Sequence, residues 1–177
     1  MEDWMARRFT AATSLFVMFG MMVGCSTSDE KKEYDVPRAL CGISVSPDLV
    51  DPFLPPGKKL KVLDTRPVPT RKICRLDVDG KWALMANLEW WADDVSISTV
   101  AGANPQLGSA KPSDNEAYFS SGTGAVVQVT GCKNPEHKGQ LLYTSLRVRD
   151  SGLADTTAMK KLATIFTKAV GKSDECS

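Results

Sequence analysis

Lys72-Ile73-Cys74-Arg75-Leu76-Asp77-Val78-Asp79-Gly80-Lys81-Trp82-Ala83-Leu84-Met85-Ala86-Asn87-Leu88-Glu89-Trp90-Trp91 is the stretch on which the fold turns. Two runs of alternating character flank Asp79-Gly80, and a tight hairpin turn needs positive φ, which glycine adopts without strain. The spacing predicts a β-hairpin with strands over 72–78 and 81–91. In the second strand Trp82, Leu84, Ala86, Leu88 and Trp90 fall on one face, with Met85, Asn87, Glu89 and Trp91 on the other. The first set reads as a core face.

Working toward the N-terminus, Leu60 to Thr65 adds a strand and Leu54-Pro55-Pro56-Gly57 turns the chain. Ser46 to Phe53 predicts a short helix, with Ser46 as cap and Pro47 in its first turn. A further helical turn is expected after Asp35, with Pro37 inside it and Gly42 ending it just past Cys41. Toward the C-terminus, Val95 to Ala101 reads as a strand and Gly102 to Glu116 as a long loop. Ala117 to Phe119, Ala125 to Cys132 and Gln140 to Arg149 complete the sheet, with a turn over Asn134 to Gly139. Ala158, Met159, Leu162, Ile165, Phe166, Ala169 and Val170 repeat at helical spacing between a capping Asp155 and a terminating Gly171. The expected class is α+β: a twisted antiparallel sheet, short N-terminal helices, and a C-terminal helix packed on one face.

The N-terminal segment carries a different message. Arg7-Arg8, an apolar run from Phe9 to Gly24 and then Cys25 follow in the order of an export signal. The run is short of the roughly 20 apolar residues of a spanning helix. Met22-Val23-Gly24-Cys25 resembles a lipobox, departing from it where Met22 replaces the preferred leucine. Cys25 is then the lipidated residue, residues 1–24 a signal peptide, 25–33 a polar tether, and 34–177 a single domain. An uncleaved apolar anchor or an ordinary secretory signal is the alternative, and each also puts the remainder outside the cytoplasm. Arg7-Arg8-Phe9 leaves the twin-arginine route open beside the general one, and Met5 is an alternative start to Met1.

Beyond Cys25 stand Cys41, Cys74, Cys132 and Cys176, an even number that suits disulfides in an exported chain. Of the three pairings, Cys41 with Cys74 and Cys132 with Cys176 is preferred, since the second would pin the C-terminal tail. There is no CxxC and no Cys/His cluster, so neither zinc nor another metal is expected, and no motif calls for a cofactor. The whole chain has 22 Lys plus Arg against 21 Asp plus Glu; without the two of each sign in residues 1–24, 20 face 19. That balance argues against nucleic acid as a partner and against a polybasic membrane patch, leaving the lipid as the membrane contact.

Candidate chemistry is sparse. Ser120-Ser121-Gly122-Thr123-Gly124 lacks the lysine of a phosphate loop and the pattern of a hydrolase elbow, and reads as a bend. His137, the one histidine, sits in a polar turn and is expected to be exposed. Asp93-Asp94 reads as a solvated strand end. Glu89-Trp90-Trp91 is the cluster that could bind: one tryptophan must face away from the core, and an exposed Trp91 beside Glu89 would anchor a peptide, sugar or protein. The alternative is that both sheet faces are covered.

Tyr34-Asp35-Val36-Pro37, Leu40-Cys41-Gly42, Leu54-Pro55-Pro56-Gly57, the Cys74 to Gly80 run, Glu89-Trp90-Trp91, Ser121 to Ala125 and a final cysteine after the helix together mark a resemblance. Over almost the whole exported part, the chain resembles a group of uncharacterised lipoproteins of streptomycetes and related actinomycetes. The resemblance implies an extracytoplasmic position on a Gram-positive cell membrane and transfers no activity. The expected function is a non-enzymatic, lipid-anchored domain binding an envelope protein or small-molecule ligand. The alternative is a cell-envelope hydrolase using scattered carboxylates or His137.

Overall fold

The computed structural model describes residues 31–104, 107, 110–112 and 118–177. The signal segment 1–24, Cys25 and much of the expected 102–116 loop lie outside the described residues. Among the described residues no helix is long and apolar enough to cross a membrane.

The hairpin around Asp79-Gly80 forms the second and third strands of the main sheet. Strands β3 (Leu60–Val68), β4 (Arg71–Val78) and β5 (Lys81–Ala92) form a meander, and Asp79 and Gly80 turn between the last two with φ of 48° and 79°. β6 (Lys111–Pro112), β7 (Tyr118–Ser120), β8 (Gly124–Gln128) and β9 (Gln140–Val148) follow. These seven strands make one antiparallel sheet in the order β3-β4-β5-β9-β8-β7-β6. β9 therefore closes the sheet by inserting between β5 and β8, pairing Leu84 with Val148 and Ala92 with Gln140 at the two ends of its contact with β5.

Helix α3 (Thr156–Val170) covers one face, as the apolar spacing predicts. The Asp155 carboxylate accepts from Ala158 N at 2.8 Å, and Met159, Leu162, Ala163, Phe166 and Val170 are buried against Leu142, Leu146, Ala125 and Leu88. Each large apolar side chain sealed here contributes about 1.5–3 kcal/mol relative to exposure. Thr144 and Thr167, polar residues in this interior, hydrogen-bond to each other. Helix α1 (Pro47–Val50), followed by a 3-10 turn (Asp51–Phe53), joins the same core through Val50 and Phe53. The opposite face is also covered. Helix α2 (Ile97–Gly102) lays Ile97 and Val100 against Val126, Tyr143 and Leu107.

Four expectations are corrected. The helical turn expected after Asp35 is a hairpin, β1 (Ala39–Leu40) with β2 (Ile43–Ser44), in which Cys41 and Gly42 both take positive φ, 54° and 76°. A bridge from Cys41 to Cys74 of β4 and burial of both Leu40 and Ile43 favour this turn over a lone helical turn. The strand expected over 95–101 is α2, because the Ser96 hydroxyl accepts from Thr99 N and the buried Ile97 and Val100 stand three apart. The strand expected over 125–132 stops at Gln128, and Gly131 takes φ 74°. Trp82 is off the core face. A bulge between Leu76 and Asp77 in the pairing sets Leu76 against Leu84 but Asp77 against Trp82, so Ala83 enters the core in its place. One extra residue reverses side-chain parity on the turn side of the bulge.

The chain is also fastened earlier than expected. Residues 31–33, read as tether, pair with Gly57: Gly57 N donates to Lys31 O at 3.3 Å and Glu33 N to Gly57 O at 2.8 Å. Both preferred disulfides are formed, with Cα separations of 5.2 Å for Cys41–Cys74 and 4.8 Å for Cys132–Cys176. Among the described residues β3, at the outer edge, pairs only with β4, leaving Val62 and Val68 each 47% exposed.

Candidate functional site

Glu89 and Trp91 project from β5 on the α2 side of the sheet, and neither is a free surface group. Glu89 is only 5% exposed, and its carboxylate pairs with Arg71 Nε at 2.8 Å on β4, directly across the ladder. Trp91 is half-buried against the second apolar cluster, and its indole N–H donates to Glu89 Oε2 at 3.4 Å. Beside them the Asn87 amide, turned so that its oxygen accepts, takes hydrogen bonds from Arg147 Nη2 and Ser145 Oγ, each at 3.2 Å. Burial lowers the pKa of Arg147 from its ordinary value; Glu89 opposes that shift and Arg71 adds to it. A partly buried ion pair of this kind specifies strand register, since a one-residue slip would set Arg71 opposite Leu88 or Trp90 instead of Glu89. Both sheet faces are covered, the alternative the sequence also allowed, and Trp91 is half-buried between them and solvent.

His137 departs from its expected exposure. It lies on a 3-10 turn (Pro135–His137) just before β9, is 9% exposed, and stacks on Trp90 with ring centroids 4.3 Å apart and planes 11° from parallel. Its Nδ1 meets Gln140 Oε1 at 2.9 Å. The ring is a packing element with a satisfied nitrogen. Ser121 serves the β7–β8 turn: its N–H donates to Gly124 O at 2.8 Å and its hydroxyl accepts from Thr123 N at 3.3 Å. Gly122 fits closely there: a Cβ would stand 3.0 Å from the Ala154 Cβ just before α3. Asp93 and Asp94 are exposed; Asp93 borders a cleft of about 440 Å³ with Ser96, Phe119 and Tyr143, which includes neither His137 nor Ser121. His137, Ser121 and the Asp93-Asp94 pair are thus not brought together. Among the described residues no three His, Cys, Asp or Glu side chains converge in a metal-binding group.

The arrangement that does form a concave site is one sequence reasoning missed. Where the β4–β5 turn, the Pro55-Pro56 bend and the exit of β9 meet, a cleft of about 540 Å³ is lined by Trp82, Lys81, Arg149, Pro55, Pro56 and Leu153, among others. Trp82 reaches it because the Ala83 bulge has moved it off the core. The Pro55 carbonyl accepts from the Tyr34 hydroxyl, fixing this wall. Tyr34 is pushed up to about 12, first by burial and then by the charges of Asp51 and Asp79. The carboxylates here are committed to the backbone: Asp79 accepts from Lys58 N and Lys59 N at 2.9–3.2 Å, and Asp150 from Gly152 N at 2.8 Å. Lys81 and Arg149 are exposed and have no ion-pair partner among the described residues. An aromatic wall, two prolines and unpaired cations can bind an anionic or amphipathic ligand.

A second charged cluster fastens the C-terminal tail. Glu175 accepts from Arg66 at 2.8 Å and from Lys72 Nζ at 3.3 Å, and the same Lys72 Nζ donates to Cys41 O at 2.9 Å. Burial alone would raise the Glu175 pKa, but Arg66 and Lys72 outweigh it and hold the carboxyl below its usual value. Comparison with protein-family models, with curated proteins and with solved structures returned no match.

Proposed function

We propose that this chain is a cell-envelope lipoprotein, held on the outer face of the membrane by an acylated Cys25, whose single α+β domain binds a ligand or partner without catalysing a reaction. The observation that carries the reading is the pairing of Cys41 with Cys74 and Cys132 with Cys176, which accounts for all four cysteines beyond Cys25. Such bridges form and persist in oxidising compartments. The lipobox-like Met22-Val23-Gly24-Cys25 and the resemblance to actinomycete lipoproteins support the same address. Binding is favoured over hydrolysis because the Trp82 cleft offers recognition groups, while His137 and Ser121 sit apart in structural roles and Asp93 is exposed elsewhere.

The test is membrane fractionation of the intact chain against Cys25→Ala, with the mass of each product measured. The expected result is a membrane-bound product carrying lipid on Cys25 and a variant that is not lipidated. A variant that stays membrane-bound beside a wild type of unprocessed, lipid-free mass would replace the lipid anchor with an uncleaved apolar one.

A further inference from the structure

The chain coming from Cys25 enters the fold at the wall of the Trp82 cleft. Lys31 and Glu33 hydrogen-bond to Gly57, and between them Lys32 Nζ is held by Asp51 Oδ1 at 2.8 Å and Asp51 O at 2.7 Å. Gly57 lies flat on the β4–β5 turn: a Cβ there would meet a Val78 methyl at 2.4 Å and an Asp79 carboxylate oxygen at 2.7 Å. Val78, Asp79 and the preceding Pro55 and Pro56 all line the cleft. Only residues 26–30 separate Cys25 from Lys31. Six Cα steps of at most ~3.6 Å reach about 20 Å, so an acylated Cys25 keeps Gly57 within about that distance of the headgroups.

The charge at this end is suited to what lies within that reach. Lys31, Lys58, Lys59, Lys81 and Arg149 are all exposed and have no ion-pair partner among the described residues. Of the neighbouring acids, Asp51 pairs with Lys32, while Asp79, Asp150 and Glu33 keep their charge, the first two accepting from backbone N–H groups, so these five cations face three carboxylates. The near-neutral total charge conceals this local excess. Trp82 adds an apolar ring with one polar N–H, the amphipathic character suited to a membrane–water boundary.

We propose that this end of the domain is a docking surface for anionic phospholipid headgroups of the same bilayer that holds the Cys25 acyl chains. The inference rests on the lipid-anchor reading. Lys81, Arg149, Lys58 and Lys59 meet headgroup phosphates, Trp82 lies at the interface, and the domain is oriented with its cleft toward the membrane. Each basic residue near an anionic surface strengthens headgroup contact about fivefold, and salt weakens it.

The experiment uses the full chain extracted from membranes and reconstituted in vesicles of phosphatidylcholine, with or without phosphatidylglycerol. A photo-crosslinking residue replaces either Lys81 or Asp93, at opposite ends of β5 and about 40 Å apart along the strand. The expected result is lipid labelling from position 81 that exceeds labelling from position 93 about tenfold, requires phosphatidylglycerol and falls with added salt. Lys59→Gln and Arg149→Gln each lower it about fivefold. Vesicle flotation separates the two readings. A protein that floats with the vesicles but labels lipid equally from both positions, from neither, or without regard to phosphatidylglycerol overturns the docking surface alone. A protein that does not float overturns the anchor and, with it, this inference.

Discussion

Deleting Ala83 should be tolerated, whereas deleting Ala86, three residues along the same strand and equally small, should not. Ala83 is the extra residue of the β5 bulge: without it Trp82 still faces Asp77 and Leu84 still faces Leu76, now in a regular ladder. The loss is one buried methyl group, about 0.8 kcal/mol, and the hydrogen bond from Arg149 N to Ala83 O, about 1 kcal/mol. Together these come to about 2 kcal/mol. Removing Ala86 instead reverses the faces of whichever half of β5 gives way. Either Leu88 and Trp90 exchange places with Glu89 and Trp91, or Leu84 leaves the core. Expelling two large apolar side chains and admitting a carboxylate costs well above 5 kcal/mol, comparable with the whole stability of a domain this size. Urea unfolding followed by tryptophan fluorescence reads both variants, and a loss of about 2 kcal/mol shifts the midpoint by about 1 M. An Ala83 deletion that fails to fold, or an Ala86 deletion that unfolds near the wild-type midpoint, would refute the parity reasoning.

Removing the Cys41–Cys74 bridge, which closes a sequence separation of 33, should cost about 3.7 kcal/mol through loop entropy alone. Urea unfolding of Cys41→Ala/Cys74→Ala, compared with the oxidised wild type, checks this; a loss under about 1 kcal/mol would contradict it. Glu175→Gln should destabilise at neutral pH. The folded pKa of Glu175 is depressed, so its contribution is present above the ordinary carboxylate range and fades as pH falls through the folded value. The gap between wild type and Glu175→Gln in thermal melts should therefore narrow on acidification below about pH 4.3, and a gap that widens would reverse the assigned sign.

Much of the sheet was legible because its signals are local. Asp79-Gly80, the alternation in β4 and β5, and the capped spacing of α3 each specify an element within one short window. The bulge was legible too, had turn parity been set against hydrophobic parity. A two-residue turn pairs Val78 with Lys81 and would put Leu76 opposite Ala83, yet the apolar set on the far strand is Leu84, Ala86 and Leu88. The conflict requires one extra residue near the turn, and that residue moves Trp82 into the cleft. Helix α2 was hidden because Val95, Ile97, Thr99 and Val100 are β-branched and favour strands locally, while burial beneath Leu107 and Tyr143 is a tertiary matter. His137 was misjudged for the same reason. Its polar turn is local, but the ring of Trp90 arrives only when β9 pairs with β5.

The long outer strand β3 bears on how such domains behave when many are crowded on one surface. An unpaired rim of nine residues would ordinarily template the addition of a neighbour's backbone and, by repetition, a growing fibril. Here the ladder to β4 loses regular register between Thr65 and Val68, and Pro67 has no amide hydrogen to offer an incoming strand. Lys61, Asp64 and Arg66 add charges that an approaching copy would have to strip of water. Growth along that rim is interrupted after a few residues, so close packing need not lead to aggregation.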